Sequence, residues 1–181
     1  MKLLIASDIH GDLESAKLVL DRFKKEKCDK ILLLGDILYH GPRNDLPPSY
    51  DPKGVIELLN SNRNSILAVR GNCDTEVDQM VLAFPILADY ICLSLDGLTV
   101  YATHGHKFNT DSPLPLLSGD IMLQGHTHIA ACDKFGNDNY CLNPGSVAIP
   151  KGGLPRSYMI YEGKCFTVKD FDGNIILTKQ F

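Results

Sequence analysis

The residues in this chain most able to do chemistry are its histidines. All six lie in four short motifs: Asp8-Ile9-His10, Tyr39-His40-Gly41-Pro42, Thr103-His104-Gly105-His106 and Gly125-His126-Thr127-His128. None is scattered elsewhere. Three of these motifs combine imidazole with polar neighbours suited to a cation. Asp36 after Gly35 and Asn72 after Gly71 repeat the pattern without histidine. The donor set is Asp8, His10, Asp36, Asn72, His104, His126 and His128. Seven donors exceed what one tetrahedral ion takes. They suit two five- or six-coordinate ions sharing a carboxylate, and donors without thiolate favour Mn, Fe or Zn.

The elements that must carry these donors are legible in the apolar runs. Leu3–Ala6, Ile31–Leu34, Ile66–Val69, Leu98–Ala102 and Ile121–Gln124 each read as a strand, and each leads into a donor. In open α/β sheets the carboxyl ends of strands face the ligand crevice. Glycines at 35, 71 and 125 let the chain turn there. Asp12 caps an expected helix from Leu13 to Lys25, with Leu13, Ala16, Leu20 and Phe23 on its inner face. Asp51-Pro52 opens a second, with Val55, Leu58 and Leu59 inward. The first third is thus β-α-β-α-β, a parallel sheet with right-handed crossovers. The second half is strand-rich: Tyr90–Leu95, Leu98–Ala102, Ile121–Gln124, Asn139–Leu142, Ser157–Tyr161, Lys164–Val168 and Asn174–Lys179. The expected result is two sheets face to face with helices outside. The proline-bearing stretch Tyr39–Tyr50 is too long for a plain connector and reads as a functional loop.

Composition sets the outer bounds. With 181 residues, 44% hydrophobic and 22% charged, the chain makes one globular domain, 1–181, with a real core. A net charge of −4 without a basic cluster argues against nucleic acid. No apolar run is long enough for a membrane span. The short N-terminal apolar run ends at Asp8 and reads as a strand, not a signal peptide. Six cysteines without a Cys-x-x-Cys pair are expected as free thiols in a cytoplasmic protein, five of them buried.

Taken in order, Asp8-x-His10, Gly35-Asp36, Gly71-Asn72-x-Asp74, His104 and Gly125-His126-x-His128 resemble the motif set of the calcineurin-like metallophosphoesterases, over residues 1 to about 155. The stretches around His40–Asn44, Arg70–Met80 and Asn143–Val147 look more narrowly like a bacterial phosphodiesterase branch of that family. The resemblance implies a four-layer α/β/β/α sandwich with two packed mixed sheets. It implies two divalent ions, Mn2+ first, with Fe, Zn, Co or Ni also suited to such donors. Asp8, His10, Asp36 and His128 would hold one, and Asp36, Asn72, His104 and His126 the other. The implied reaction is hydrolysis of a small phosphodiester by a hydroxide shared between the ions. Two divalent ions outweigh two carboxylates, so the site attracts a phosphate ester, and metal binding can lower a water pKa from 15.7 to about 7.

Cys73, Arg43 and His40 are the remaining catalytic candidates. Many family members carry at position 73 a histidine that protonates the leaving group, and a thiol is the weaker acid near neutrality. Arg43 is either a solvated side chain or a bidentate phosphate clamp. Asp12 caps a helix and is a candidate to orient His10. His106 either orients His104 or lines the pocket. Asp74 either orients a ligand or caps the helix after it. Asn143-Pro144-Gly145-Ser146 is either a tight turn or, as the resemblance suggests, part of the site. Val77, Met80, Val81, Leu82 and Phe84 form either a homo-oligomer face (dimer or tetramer) or ordinary core. A phosphomonoesterase of the same mechanism, and a non-catalytic scaffold like the retromer subunit of this fold, are the competing functions.

Overall fold

The computed structural model describes residues 1–181. Strand β1 (Leu3–Ala6) leads through helix α1 (Leu13–Lys25) to β2 (Lys30–Leu33), then through α2 (Pro52–Ser61) to β3 (Ile66–Ala68). These three strands run parallel, with Leu4 opposite Ile31 and Ile31 opposite Ile66. The short helix α3 (Glu76–Val81) precedes β4 (Tyr90–Leu95), β5 (Leu98–Thr103), β6 (Ile121–Leu123), β7 (Ala130–Phe135) and β8 (Asn139–Pro144). The chain closes with β9 (Ser157–Glu162), β10 (Cys165–Asp170) and β11 (Ile175–Gln180), which return to the first sheet beside β1. The orders are β11-β10-β9-β1-β2-β3 and β4-β5-β6-β8-β7. Both sheets are mixed: β1-β2-β3 and β5-β6-β8 are parallel, and their flanking strands are antiparallel.

Strand alternation explains the two cores. Side chains point to opposite faces at successive residues. Leu3 and Ile5 therefore face the second sheet, packing with Val100, Ala102, Ile121 and Leu123. Leu4 and Ala6 face the helices, packing with Ala16, Val19, Leu20, Val55 and Leu59. Strands buried on both faces read as continuous apolar runs, which is why β1 and β2 were visible in the sequence. Asp12 and Asp51 cap α1 and α2 as expected, each accepting a backbone N–H three residues on.

Several expectations change. All three α-helices precede β4, and Leu82, Phe84 and Ile86 after α3 join the core beneath α1 and α2. In the segment after β5 the Phe108 ring packs edge-on against Tyr90 of β4 at 5.9 Å. Leu82 and Phe84 are core, while Val77 and Met80 are exposed, so the suggested apolar face of that segment is split. The cysteines are free, but only Cys73 and Cys141 are buried; Cys92 is exposed, because it points outward from the edge strand β4. Strand β7 was not anticipated.

Candidate metal centre

The donors sit where parallel strands end. Beyond the last β1–β2 pair the backbones stay joined: Asp8 N donates to the Gly35 carbonyl, and His10 N to the Asp36 carbonyl. Within the second sheet Gly125 N donates to the His104 carbonyl, and His126 N donates to Asp8 Oδ2 at 3.1 Å across to the first. The close approach demands glycine. A Cβ on Gly71 would lie 2.1 Å from Asp36 Oδ1, and one on Gly125 would lie 1.9 Å from Ser7 Oγ. Asp8, His10, Asp36, His126 and His128 all have φ between 50° and 64°. The left-handed region costs an L-residue roughly 1–2 kcal/mol. Five such residues in one cluster are stored strain, which collects at functional sites.

All seven donors meet. His10 Nε2 lies 3.6 Å from Asp8 Oδ1, His128 Nε2 lies 3.2 Å from the same atom, and the two imidazole nitrogens are 3.3 Å apart. Asp36 Oδ2 is 3.8 Å from His10 Nε2 and 3.5 Å from His104 Nε2. His104 Nε2 is in turn 3.0 Å from Asn72 Oδ1 and 3.2 Å from His126 Nδ1. The set thus divides into Asp8-His10-His128 on one side and Asn72-His104-His126 on the other, with Asp36 between.

The hydrogen-bond inventory shows what this cluster lacks. His10 Nδ1 donates to the Tyr39 carbonyl, His104 Nδ1 to the Leu34 carbonyl and His128 Nδ1 to the Ile149 carbonyl, at 2.8, 2.6 and 2.6 Å. A carbonyl only accepts, so each Nδ1 carries a proton and each ring points Nε2 inward, where it offers a lone pair to a cation that displaces its second proton. Those lone pairs face one another, two carboxylates and an amide oxygen. Asn72 Nδ2 donates to Cys73 Sγ at 3.2 Å, which turns its Oδ1 toward His104. Asp8 Oδ1 is buried with no hydrogen-bond donor. Acceptors packed this closely need protons or cations among them. The donor chemistry, the converging lone pairs and the unpartnered Asp8 oxygen all fit divalent ions.

The titration properties agree. Burial alone would raise the Asp8 carboxyl, but His10 and His128 outweigh it and hold Asp8 far below the usual range. Burial lowers His104, yet the Asp36 and Asp8 carboxylates carry it up to about 9. His10 is raised for the same reason. His126 is lowered by burial and by the neighbouring His104. Burial and Asp36 drive the Cys73 thiol well above its ordinary value.

Around the cluster the candidates separate. Cys73 is buried; its N–H donates to Asp36 Oδ1 at 2.8 Å, and its Sγ lies within 4.8 Å of ligand atoms of His10 and Asp36. Arg43 is exposed and lines a cleft of about 300 Å³ with Asp36, Asn72, His126 and His128. The His40 ring sits edge-on between Tyr39 at 4.7 Å and Tyr50 at 5.3 Å, with Nδ1 buried and unpartnered. Asp12 makes no bond to His10; the Tyr39 carbonyl orients that ring instead. His106 does not orient His104, whose Nδ1 is held by Leu34. Its ring centroid lies 5.4 Å from that of His104, and burial and the His104 charge pull it down to about 4.

Asp74 is not the cap of α3. Thr75 is, in a capping box with Asp78. Asp74 is buried and accepts from Asp36 N, Ile37 N and Gly71 N at 2.8, 2.8 and 2.7 Å, locking the β2 and β3 loops together. Burial raises it to about 6 against the pull of those donors. Asn143 lies in the last residue pair of β8, where its Oδ1 accepts from Gly145 N to turn the chain, and with Ser146 it also braces the site. Asn143 Nδ2 donates to the Gly125 carbonyl and Ser146 Oγ to the Asp8 carbonyl. Lys151, unnoticed in the sequence, lines the cleft with Arg43. Its signal was its place shortly after the Asn143–Ser146 turn.

Comparison with known proteins bears on this geometry. Residues 1–164 match the model of the calcineurin-like phosphoesterase superfamily domain. The chain is 44% identical over 168 residues to phosphodiesterase YfcE of Escherichia coli K12, covering 93% of this chain and 91% of that protein. Phosphodiesterase MJ0936 of Methanocaldococcus jannaschii is 27% identical over 163 residues, covering 86% and 89%. The solved structure of YfcE, a phosphoesterase from E. coli, superposes with a TM-score of 0.95 at 43% identity, covering 99% of this chain and 98% of that one.

Proposed function

This chain belongs to the calcineurin-like phosphoesterase superfamily, and we propose that it is a metal-dependent phosphodiesterase acting on small diesters. The observation that carries the reading is the set of inward Nε2 lone pairs and carboxylate oxygens converging around Asp36. YfcE and MJ0936, both phosphodiesterases by name, support the reaction class.

On this reading Asp8, His10, Asp36 and His128 hold one cation, and Asp36, Asn72, His104 and His126 hold the other, with Mn2+ the expected ion. When bound, such a pair supplies Lewis acidity toward phosphoryl oxygens and makes water acidic enough to attack near neutral pH. The chain's own residues do the rest. The Tyr39, Leu34 and Ile149 carbonyls orient three of the four histidines, so those rings need not turn to ligate. The Cys73 N–H and Asp74 hold Asp36 in place. Arg43 and Lys151 offer cationic hydrogen-bond donors to the non-bridging oxygens of the ester.

The test is hydrolysis of bis-p-nitrophenyl phosphate, beside the p-nitrophenyl monoester, by protein stripped with chelator and reloaded with Mn2+. Turnover of the diester, lost with chelator and restored with metal, is expected. A folded, metal-loaded protein that hydrolyses neither ester would refute the reading.

A further inference from the structure

A second concavity opens beside the metal cluster. It has a volume of about 330 Å³ and runs between α2, α3 and the loop after β2. The metal-side cleft has no apolar lining residue, whereas this groove is walled by Tyr39, Tyr50, Ile56, Cys73, Val77 and Val81. The two spaces adjoin through a third. An intermediate cleft shares Tyr39 and Cys73 with the groove, and Arg43 and Asn72 with the metal side.

From this adjacency, and resting on the phosphodiesterase reading, we propose that the groove holds one ester substituent of the substrate, an uncharged aromatic or short-chain apolar alcohol. Charge points the same way. The groove contains one cation, Lys53, and one carboxylate, Asp78, which is engaged by Thr75 N and Oγ1. Neither sign dominates, so a charged substituent gains nothing there. Size also limits the occupant: the volume is at the low end for small-molecule clefts and suits one ring or a short chain. Cys73 marks the junction. Its sulfur lines the groove and lies within 4.8 Å of ligand atoms of His10 and Asp36, so the groove begins beside the cluster. Val77 is 67% exposed, so an apolar surface now facing water would be covered by substrate.

The test uses n-alkyl phosphonates, from methyl to hexyl, as competitive inhibitors of bis-p-nitrophenyl phosphate hydrolysis, with calorimetric Kd values as a second readout. Full burial of a methylene strengthens binding roughly fourfold. In an open groove about twofold is expected per methylene, so butylphosphonate should bind on the order of tenfold more tightly than methylphosphonate. The gain should stop once the groove is full. Val77→Asp and Val81→Asp should flatten this dependence on chain length, while Leu117→Asp, an exposed site outside the groove, should retain it. Equal affinity for methyl- and butylphosphonate, with hydrolysis intact, overturns the groove proposal alone. If no phosphonate binds and no diester is cleaved, the phosphodiesterase reading falls and takes the proposal with it. A chain that sediments as a dimer, that Val77→Asp makes monomeric, and that has no dependence on chain length assigns the groove to a second copy and also overturns it.

Discussion

Asp74→Asn is the sharpest probe of how the centre is held. The carboxylate is 1% exposed and accepts three backbone N–H groups, two on Oδ2 and one on Oδ1. An asparagine keeps its oxygen toward Asp36 N and Gly71 N only by turning its NH2 at Ile37 N–H. One buried donor then loses its partner, at about 1–3 kcal/mol, and the two surviving bonds lose their charge assistance. Removing a charge that burial disfavours offsets part of this, so about 1–2 kcal/mol is expected in total. For a chain of this length that lowers Tm by roughly 3–6 °C. The loops that move carry Asp36 and Asn72, so metal affinity should fall by about 10–100-fold, the usual cost of losing a partner behind a ligand. Thermal melts in chelator give the first number, and Mn2+ titration followed by calorimetry gives the second. A variant with wild-type Tm and affinity would mean that Asp74 does not set the position of the ligand loops.

The pH dependence of the metal-free protein follows from the raised histidines. His104 rises from 6.5 to about 9 on folding, so its contribution, on the order of 3 kcal/mol, is complete below pH 6.5 and fades as pH climbs through 9. Asp8 acts oppositely: its depressed value adds stability above about pH 4 that is lost on acidification. Metal-free Tm should therefore decline between pH 6.5 and 9, and Mn2+ binding at pH 7.5 should release protons, measured by calorimetry in buffers of different ionisation heat; a flat Tm and no proton release would contradict the protonated cluster. Arg43→Ala should raise KM several-fold more than it lowers kcat, since Arg43 lines the cleft without touching the ligand atoms; an unchanged KM would return it to the solvent. Cys73→His should raise turnover on diesters with poor leaving groups by about tenfold or more, because the buried thiol holds its proton far too tightly to donate it. No gain there would remove residue 73 from proton transfer.

The scaffold of the site was readable because buried parallel strands are apolar on both faces and end abruptly in polar residues. Leu3–Ala6 before Asp8 and Ile121–Leu123 before His126 are of this kind. What escaped notice was carried by geometry without pattern. Ala130–Phe135 is a half-buried edge strand with no clean alternation, so its pairing to β8 left little trace. Sequence could not choose between Asp74 as a helix cap and Asp74 as a support for a ligand, because its partners are amides, two of them 37 and 38 residues away. Asp12 is the helix cap it was expected to be, but the supporting roles open to Asp12 and His106 belong to the Tyr39 and Leu34 carbonyls. Backbone groups are present at every residue and give no sequence signal. The apolar groove draws its walls from α2, α3 and the loop after β2, so it exists only once those elements are packed.

Asp36 stands at the centre of the account, with one carboxylate oxygen within 3.8 Å of both His10 and His104. Counting Mn2+ bound per chain, by elemental analysis and by titration into chelator-stripped protein, tests it directly. Two ions per wild-type chain, and at most one with little diester hydrolysis in Asp36→Asn, are the expected results. A single ion in the wild type, or an Asp36→Asn variant that hydrolyses at the full rate, would contradict a shared carboxylate.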